Sequence, residues 1–208
     1  MPFFIGLSMS AGMIIALGPQ NAFLIKNGLQ KNSKTLNIAA IFILIDIILI
    51  SIGAIGVGSI ISQSPFLRFF MTIFAAGFFI FYGYSSIIKS RANKSKSVEK
   101  KNAYPQYLTA IFLSVANPAV IFDTIVIVGG LASRYTLLED RVIFTFGAIA
   151  ASIMWFISLT AVSFWASRYV DNDKTWKYVE RVIGVFMIIV GSLVLLDLYR
   201  AEMLNPTF

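Results

Sequence analysis

Six apolar stretches set the terms for this chain: Phe3–Ile25, Leu36–Ile61, Phe66–Ile88, Tyr107–Leu131, Val142–Trp165 and Val179–Tyr199. Each is close to the ~20 residues a helix needs to cross the hydrocarbon core of a bilayer. No water is at hand there to bond backbone N–H and C=O groups, so a span must be a helix or a strand of a closed barrel. None of the stretches alternates apolar and polar residues as barrel strands do, so all six read as helices. The connections are short, and 208 residues leave no room for a soluble domain. Only 13% of the residues are charged, about half the usual share in soluble domains. The expected fold class is all-α integral membrane, with six transmembrane helices. Any activity then sits inside the bundle.

Composition removes several kinds of chemistry. The sequence has no cysteine and no histidine. That excludes disulfides, thiolate nucleophiles and cysteine-based metal sites, and it removes the usual near-neutral proton carrier. No cofactor, no metal and no enzymatic activity is expected. The net charge of +7 would suit nucleic acid, but the basic residues lie between the apolar stretches, where they report topology instead. The first stretch lacks a basic leader and a small-residue cleavage site, so it reads as a retained helix. Lys26, Lys31 and Lys34 lie in the first connection. Lys89, Arg91, Lys94, Lys96, Lys100 and Lys101 lie in the third, and Arg168, Lys174, Lys177 and Arg181 in the fifth. Only Arg68, Arg134, Arg141 and Arg200 fall on the other side. This bias places the odd connections in the cytoplasm and both termini outside.

The third connection, rich in Lys, Ser and Asn, is the one real linker. It divides the chain into a first three-helix repeat (1–89), a basic cytoplasmic linker (90–104) and a second three-helix repeat (105–208). A three-helix unit that recurs after an odd number of spans enters the membrane from the opposite side, which is the arithmetic of a 3+3 inverted repeat. Short internal matches agree. Gly18-Pro19-Gln20-Asn21 in helix 1 corresponds to Ala116-Asn117-Pro118 in helix 4, and Gly53-Ala54-Ile55 in helix 2 to Gly147-Ala148-Ile149 in helix 5.

Asp46 and Asp123 stand alone inside long apolar stretches. A charged group at membrane depth costs roughly 2.5–3.5 kcal/mol on insertion scales. It persists where it faces a partner or a wet cavity. The plain alternative for either acid is a bond to a hydroxyl or to a backbone group freed by a broken helix. Pro19 and Pro118 each remove an N–H and disturb the preceding turn, so helices 1 and 4 are expected to be interrupted there, with Gly18 as part of the hinge. A half-helix N-terminus presents free N–H groups and partial positive charge and can hold a carboxylate. Gln20, Asn21 and Asn117 add neutral donors and acceptors. With Asp46 and Asp123 the set matches a zwitterion carrying one more positive charge, such as lysine, arginine or ornithine. Asn117 and Asp123 would lie about 240° apart on an unbroken helix, so they share a cavity only if Pro118 alters it. Small residues four apart, Ala54 with Gly58 and Gly147 with Ala151, favour close helix packing within the bundle over a dimer seam. Trp165 and Trp176 suit the cytoplasmic interface. Trp155 lies deeper, as core or cavity lining. Asp197 and Arg200 read as an interfacial ion pair.

Together these residues resemble a known family. Gly18-Pro19-Gln20-Asn21-Ala22-Phe23, a basic loop, and Asp46 within Leu44-Ile45-Asp46-Ile47 are similar to the first half of basic amino-acid exporters of the lysine exporter type. Asn117-Pro118 with Phe122-Asp123-Thr124 resembles their fourth helix, and Gly147-Ala148 with Ser152 and Trp155 their fifth. The resemblance implies an integral protein of the bacterial inner membrane that exports lysine or arginine, and an inverted-repeat fold. The neutral amino-acid branch reads Gly-Pro-Gly or Gly-Pro-Asn in helix 1 and Asn-Pro-Lys in helix 4. Gln20 after Pro19 and Ala119 after Pro118, together with Asp123, favour the basic branch.

The expected protein is therefore a secondary transporter for cationic amino acids. Its partners would be a basic amino acid, protons and the lipid bilayer, with no nucleic acid and with room for a homo-oligomer. Asp46, Asp123, Gln20, Asn21 and Asn117 would bind substrate. Gly18, Pro19 and Pro118 would let the halves rock. Moving one positive charge outward against an inside-negative potential costs about 2.3 kcal/mol per 100 mV. Proton antiport would offset that, with the proton riding on a carboxyl group. The alternatives are an exporter of neutral amino acids such as threonine or homoserine, a cation transporter, and an intramembrane aspartyl protease. Against the last, the Gly-x-Gly-Asp pattern is absent, since Asp123 follows Ile121-Phe122.

Overall fold

A computed structural model describes residues 1–15, 18–57, 65–91, 103–115, 117–169 and 173–204. These residues form α1 (Pro2–Ile14), α2 (Pro19–Leu29), α3 (Thr35–Ile52), α4 (Pro65–Arg91), α5 (Ala103–Val115), α6 (Pro118–Ile121), α7 (Gly129–Ala132), α8 (Leu138–Ala166) and α9 (Asp173–Leu204). Two π-helical stretches, Gly53–Val57 after α3 and Phe122–Val128 between α6 and α7, and a 3₁₀ turn at Ser167–Tyr169 complete the order. The basic linker falls mostly on residues outside those described.

The distribution of polarity is that of a membrane protein. Asp46, Asn117, Gln20, Asn21, Ser114 and Ser152 are buried, while Phe4, Leu44, Phe81, Phe146, Ile157 and Leu193 are exposed. In water that arrangement would be costly; in lipid it puts apolar surface against apolar solvent. Thr35–Gly56, Leu138–Tyr169 and Arg181–Arg200 are each long and apolar enough to cross a bilayer. The pair α1 and α2, bent by 76°, forms a broken fourth run. Thr72–Ile88, Gln106–Val115 and Phe122–Ala132 are apolar but shorter.

The bend follows from local chemistry. Pro19 takes the first position of α2, where its missing N–H has no helical partner to lose. Gly18 caps that helix in extended geometry, with φ −82° and ψ 176°. Pro118 likewise opens α6, directly after Asn117. The expected fourth stretch is thus in pieces: α5 ends at Val115, and the chain resumes as α6, a π-helical stretch and α7.

Close helix approach rests on glycine. A Cβ on Gly6 of α1 would collide with the Phe144 carbonyl of α8, and one on Gly147 of α8 with the Phe3 carbonyl of α1. Gly53 and Gly129 bring the first π-helical stretch against α7, and a Cβ on Gly53 would lie 2.8 Å from the Ile125 carbonyl oxygen. Gly83 of α4 and Gly184 of α9 face each other's carbonyls, at 2.6 and 2.7 Å from an added Cβ. Small residues allow such approach where apolar solvent gives no drive for helices to associate. Of the expected pair Ala54 and Gly58, Ala54 is buried, Gly58 lies outside the described residues, and the nearest approach is made by Gly53. Gly56 has φ 121°, a conformation open to glycine alone at little cost. It kinks the end of the α3 run.

Three dry clusters form the core. Leu24, Ile38, Ala39, Phe42, Ala110 and Phe156 make the first. Ile50, Ala54, Val128, Ala132, Phe144 and Ala148 make the second, and Ala22, Phe79 and Met187 the third.

Candidate substrate chamber

Along α3, Phe42 belongs to the first cluster and Ile50 to the second. Asp46 lies between them, four residues from each and so on the same face. Along α8 the order repeats in the opposite sense: Ala148 in the second cluster, then Ser152, then Phe156 in the first. Both helices read dry, polar, dry. The polar level is a cavity of about 60 Å³ lined by Met13, Ile14, Gly18, Gln20, Asn21, Asp46, Phe79, Asn117, Val120, Asp123, Thr124 and Phe156. A buried water occupies ~10–15 Å³ on this measure, so the chamber has room for only a few.

Gln20, Asn21, Asp46, Asn117 and Asp123, the polar residues expected to bind substrate, all line this one space. Gly18, Gln20 and Asn21 reach it at the start of α2, where the bend exposes the helix end. Asn117 reaches it at the second break, and Asp123 from the first turn of the π-helical stretch. The 240° conflict between Asn117 and Asp123 does not arise, because Asn117 stands at the head of α6 after the break and the chain turns π-helical at Phe122, before Asp123. Pro19 is buried at the head of α2. Pro118 sets the break that Asn117 borders.

The hydrogen bonds sort these residues. Gln20 Nε2 donates to Ser114 Oγ at 3.0 Å, joining α2 to α5. Ser114 in turn donates to the Ala110 carbonyl at 3.0 Å. Asn21 Nδ2 donates to the Ile14 carbonyl at 2.9 Å, closing the gap across the break. Its Oδ1 accepts from Trp155 Nε1 at 3.2 Å. Thr124 lines the chamber while donating to the Val120 carbonyl at 2.6 Å. Asp46, only 2% exposed, accepts from Ser152 Oγ through Oδ2 at 2.7 Å. Its Oδ1 is buried and has no partner. A carboxylate in such a place costs free energy until a donor reaches it. The hydroxyl alternative for Asp46 is therefore only half the picture: one oxygen takes a serine, the other nothing.

Ser152 and Thr124 appear in the sequence only as parts of a familiar pattern, and Ser114 carries no signal there. A lone hydroxyl in an apolar helix usually bonds its own backbone, so nothing local marks the one that reaches an acid. Trp155 packs beside the first cluster as well as bonding Asn21, so core and lining roles coincide. Trp165 is exposed and stacks edge-on with Tyr169 at 5.2 Å. The side chain of Trp176 lies outside those described. Among the described residues Asp197 and Arg200 form no ion pair; both line an open groove on α9 with Leu193, Val194 and Leu196.

Apolar helices around a polar cavity bordered by two broken helices define a helical membrane protein. The family model described as LysE type translocator matches residues 11–198, and the chain belongs to that family. The arginine exporter protein ArgO of Salmonella schwarzengrund (strain CVM19633) is 30% identical over 193 residues, covering 91% of this chain and 90% of the relative. The protein of the same name from Yersinia enterocolitica serotype O:8 / biotype 1B is 30% identical over 190 residues, covering 89% and 91%. No solved structure matches significantly.

Proposed function

We propose that this chain is a secondary transporter that exports cationic amino acids, arginine or lysine, from the cytoplasm, and that the chamber is its substrate site. The observation that carries the reading is the buried, unpartnered Asp46 Oδ1 in a cavity shared with Asp123. Two acids without a basic partner on that lining call for a cation. Gly18, Gln20, Asn21 and Asn117, with the start of α2, suit the polar ends of an amino acid. The arginine exporters among the relatives support the same class.

The architecture we propose is six spans in a 3+3 inverted repeat, with units 1–89 and 105–208 joined by the linker 90–104. The broken α1–α2 run is the first span and α5 through α7 the fourth. Support comes from the seams. In each unit the second helix carries a Gly-Ala-Ile motif whose glycine, Gly53 or Gly147, docks on the first helix of the other unit. The third helices, α4 and α9, pack on each other through glycines that face mutually. The Lys and Arg distribution supports an orientation with the α2–α3 loop in the cytoplasm and both termini outside, and the membrane we propose is the inner one. In this reading the halves part to admit substrate and to release it. Proton antiport on a carboxyl group would offset the membrane potential.

Export of labelled lysine, arginine and threonine from dipeptide-loaded cells tests the reading. Lysine or arginine should leave faster with the chain than without it. Asp46→Asn, at normal membrane abundance, should lose at least about ten-fold of that rate, the scale of a charge-assisted bond. Threonine export without lysine or arginine export would reject the substrate class.

A further inference from the structure

We propose that Ser152 is a positioning residue for substrate: it holds the Asp46 carboxylate so that Oδ1 faces the chamber, and thereby sets affinity for the cationic end of the transported molecule. The inference rests on the chamber being the substrate site, and it names a residue of α8 that does not line that chamber.

Three observations carry it. The Ser152 hydroxyl donates to Oδ2 at 2.7 Å, short enough for a bond to an ionised acceptor. Ser152 has no exposed surface, and the dry residues Ala148 and Phe156 sit one helical turn to either side. The hydroxyl is therefore held at the level of the carboxylate, and it gives its proton to Oδ2 rather than to its own backbone. Asp46 Oδ1 then remains buried without a donor while its residue lines the cavity. An aspartate has two side-chain torsions, and the terminal one is broad. Without the serine the carboxylate can turn about that torsion, and the chamber-facing oxygen loses its fixed place. Pre-set geometry of this kind raises affinity by removing the ordering cost at binding.

Ser152 does not touch the substrate in this account. Its loss should weaken recognition of charge and leave recognition of shape alone. Citrulline provides the comparison, since it has the form of arginine with a neutral urea in place of the guanidinium. The test is labelled arginine uptake into inside-out membrane vesicles carrying the full chain, with citrulline as competitor. Ser152→Ala should raise the half-saturating arginine concentration about ten-fold at a near-unchanged maximal rate, the scale of a bond to a charged group. The inhibition constant for citrulline should move by less than about two-fold, because no charge meets Asp46. Ser152→Cys, which keeps the size but donates weakly, should fall between Ser152→Ala and wild type. It carries the test if Ser152→Ala is lost from the membrane.

An unchanged arginine half-saturation in both serine variants overturns the inference. So does an equal loss for arginine and citrulline, or a fall in maximal rate alone, since either marks a general packing role. Asp46→Asn separates the two levels of the argument. If it transports arginine as wild type does, the chamber reading fails and the Ser152 role with it. If it is inactive while Ser152→Ala is silent, only the Ser152 role fails.

Discussion

A carboxylate has about four lone-pair sites, and at Asp46 the chain fills them with one serine hydroxyl. Asn21 is the opposite case. Its amide nitrogen bonds the Ile14 carbonyl and its oxygen accepts from Trp155. It thus stitches the broken first run together and ties it to α8. We expect Asn21 to act on transport through the shape of the break as well as through its place on the chamber lining. Trp155→Phe removes the indole donor and keeps an aromatic body. It should slow arginine export about five-fold, in line with a net hydrogen-bond value of ~1 kcal/mol, with normal membrane abundance; an export rate equal to wild type would refute the tie. The acids and the amides beside the prolines were legible in the sequence, because burial of charge and missing N–H groups have costs that need an answer. The serine that answers Asp46 was not, because its partner is 106 residues away.

Among the elements, the two proline breaks could be read from the sequence, whereas the π-helical stretches could not. They coincide with tertiary contacts: Gly53 meets Gly129, and Asp123 lines the chamber. Helical pattern alone gives no sign of that. The glycine seams give a sharp contrast between two apparently similar residues. An added Cβ at Gly129 would collide with the Gly53 backbone, whereas at Gly77 of α4 it would meet nothing within 4 Å. Gly129→Ala should therefore cost about 1–3 kcal/mol by overpacking, seen as a lower melting temperature in detergent. Gly77→Ala should be neutral or gain up to ~1 kcal/mol from helix propensity. Equal melting temperatures for the two variants would contradict the seam.

Across the described residues, two apolar clusters flank one polar level. The first cluster lies toward the α2–α3 loop and the second toward the glycine contacts of α1, α8 and α7. A polar latch reinforces the loop end: Asn32 Nδ2 donates to Asn27 Oδ1 at 2.8 Å and to Gln106 Oε1 at 3.2 Å, across to α5. Asn37 Nδ2 adds a bond to the Tyr107 hydroxyl at 3.1 Å. Among the described residues, apolar clusters thus flank the small chamber on both sides. The helical, membrane-embedded class followed from six apolar stretches in the sequence. The stacking of apolar clusters on either side of the polar level did not, because apolar residues alone do not specify their neighbours. The sequence has no cysteine, so one introduced thiol reports the chamber directly. The decisive measurement is thiol labelling of Val120→Cys, on the chamber lining, in membranes with and without arginine. Phe81→Cys, at a side chain 70% exposed on the outer face, serves as control. Arginine or lysine should slow labelling of Val120→Cys several-fold, threonine should not, and Phe81→Cys should be indifferent to all three. Labelling of Val120→Cys that neither basic amino acid changes would contradict a cation-holding chamber.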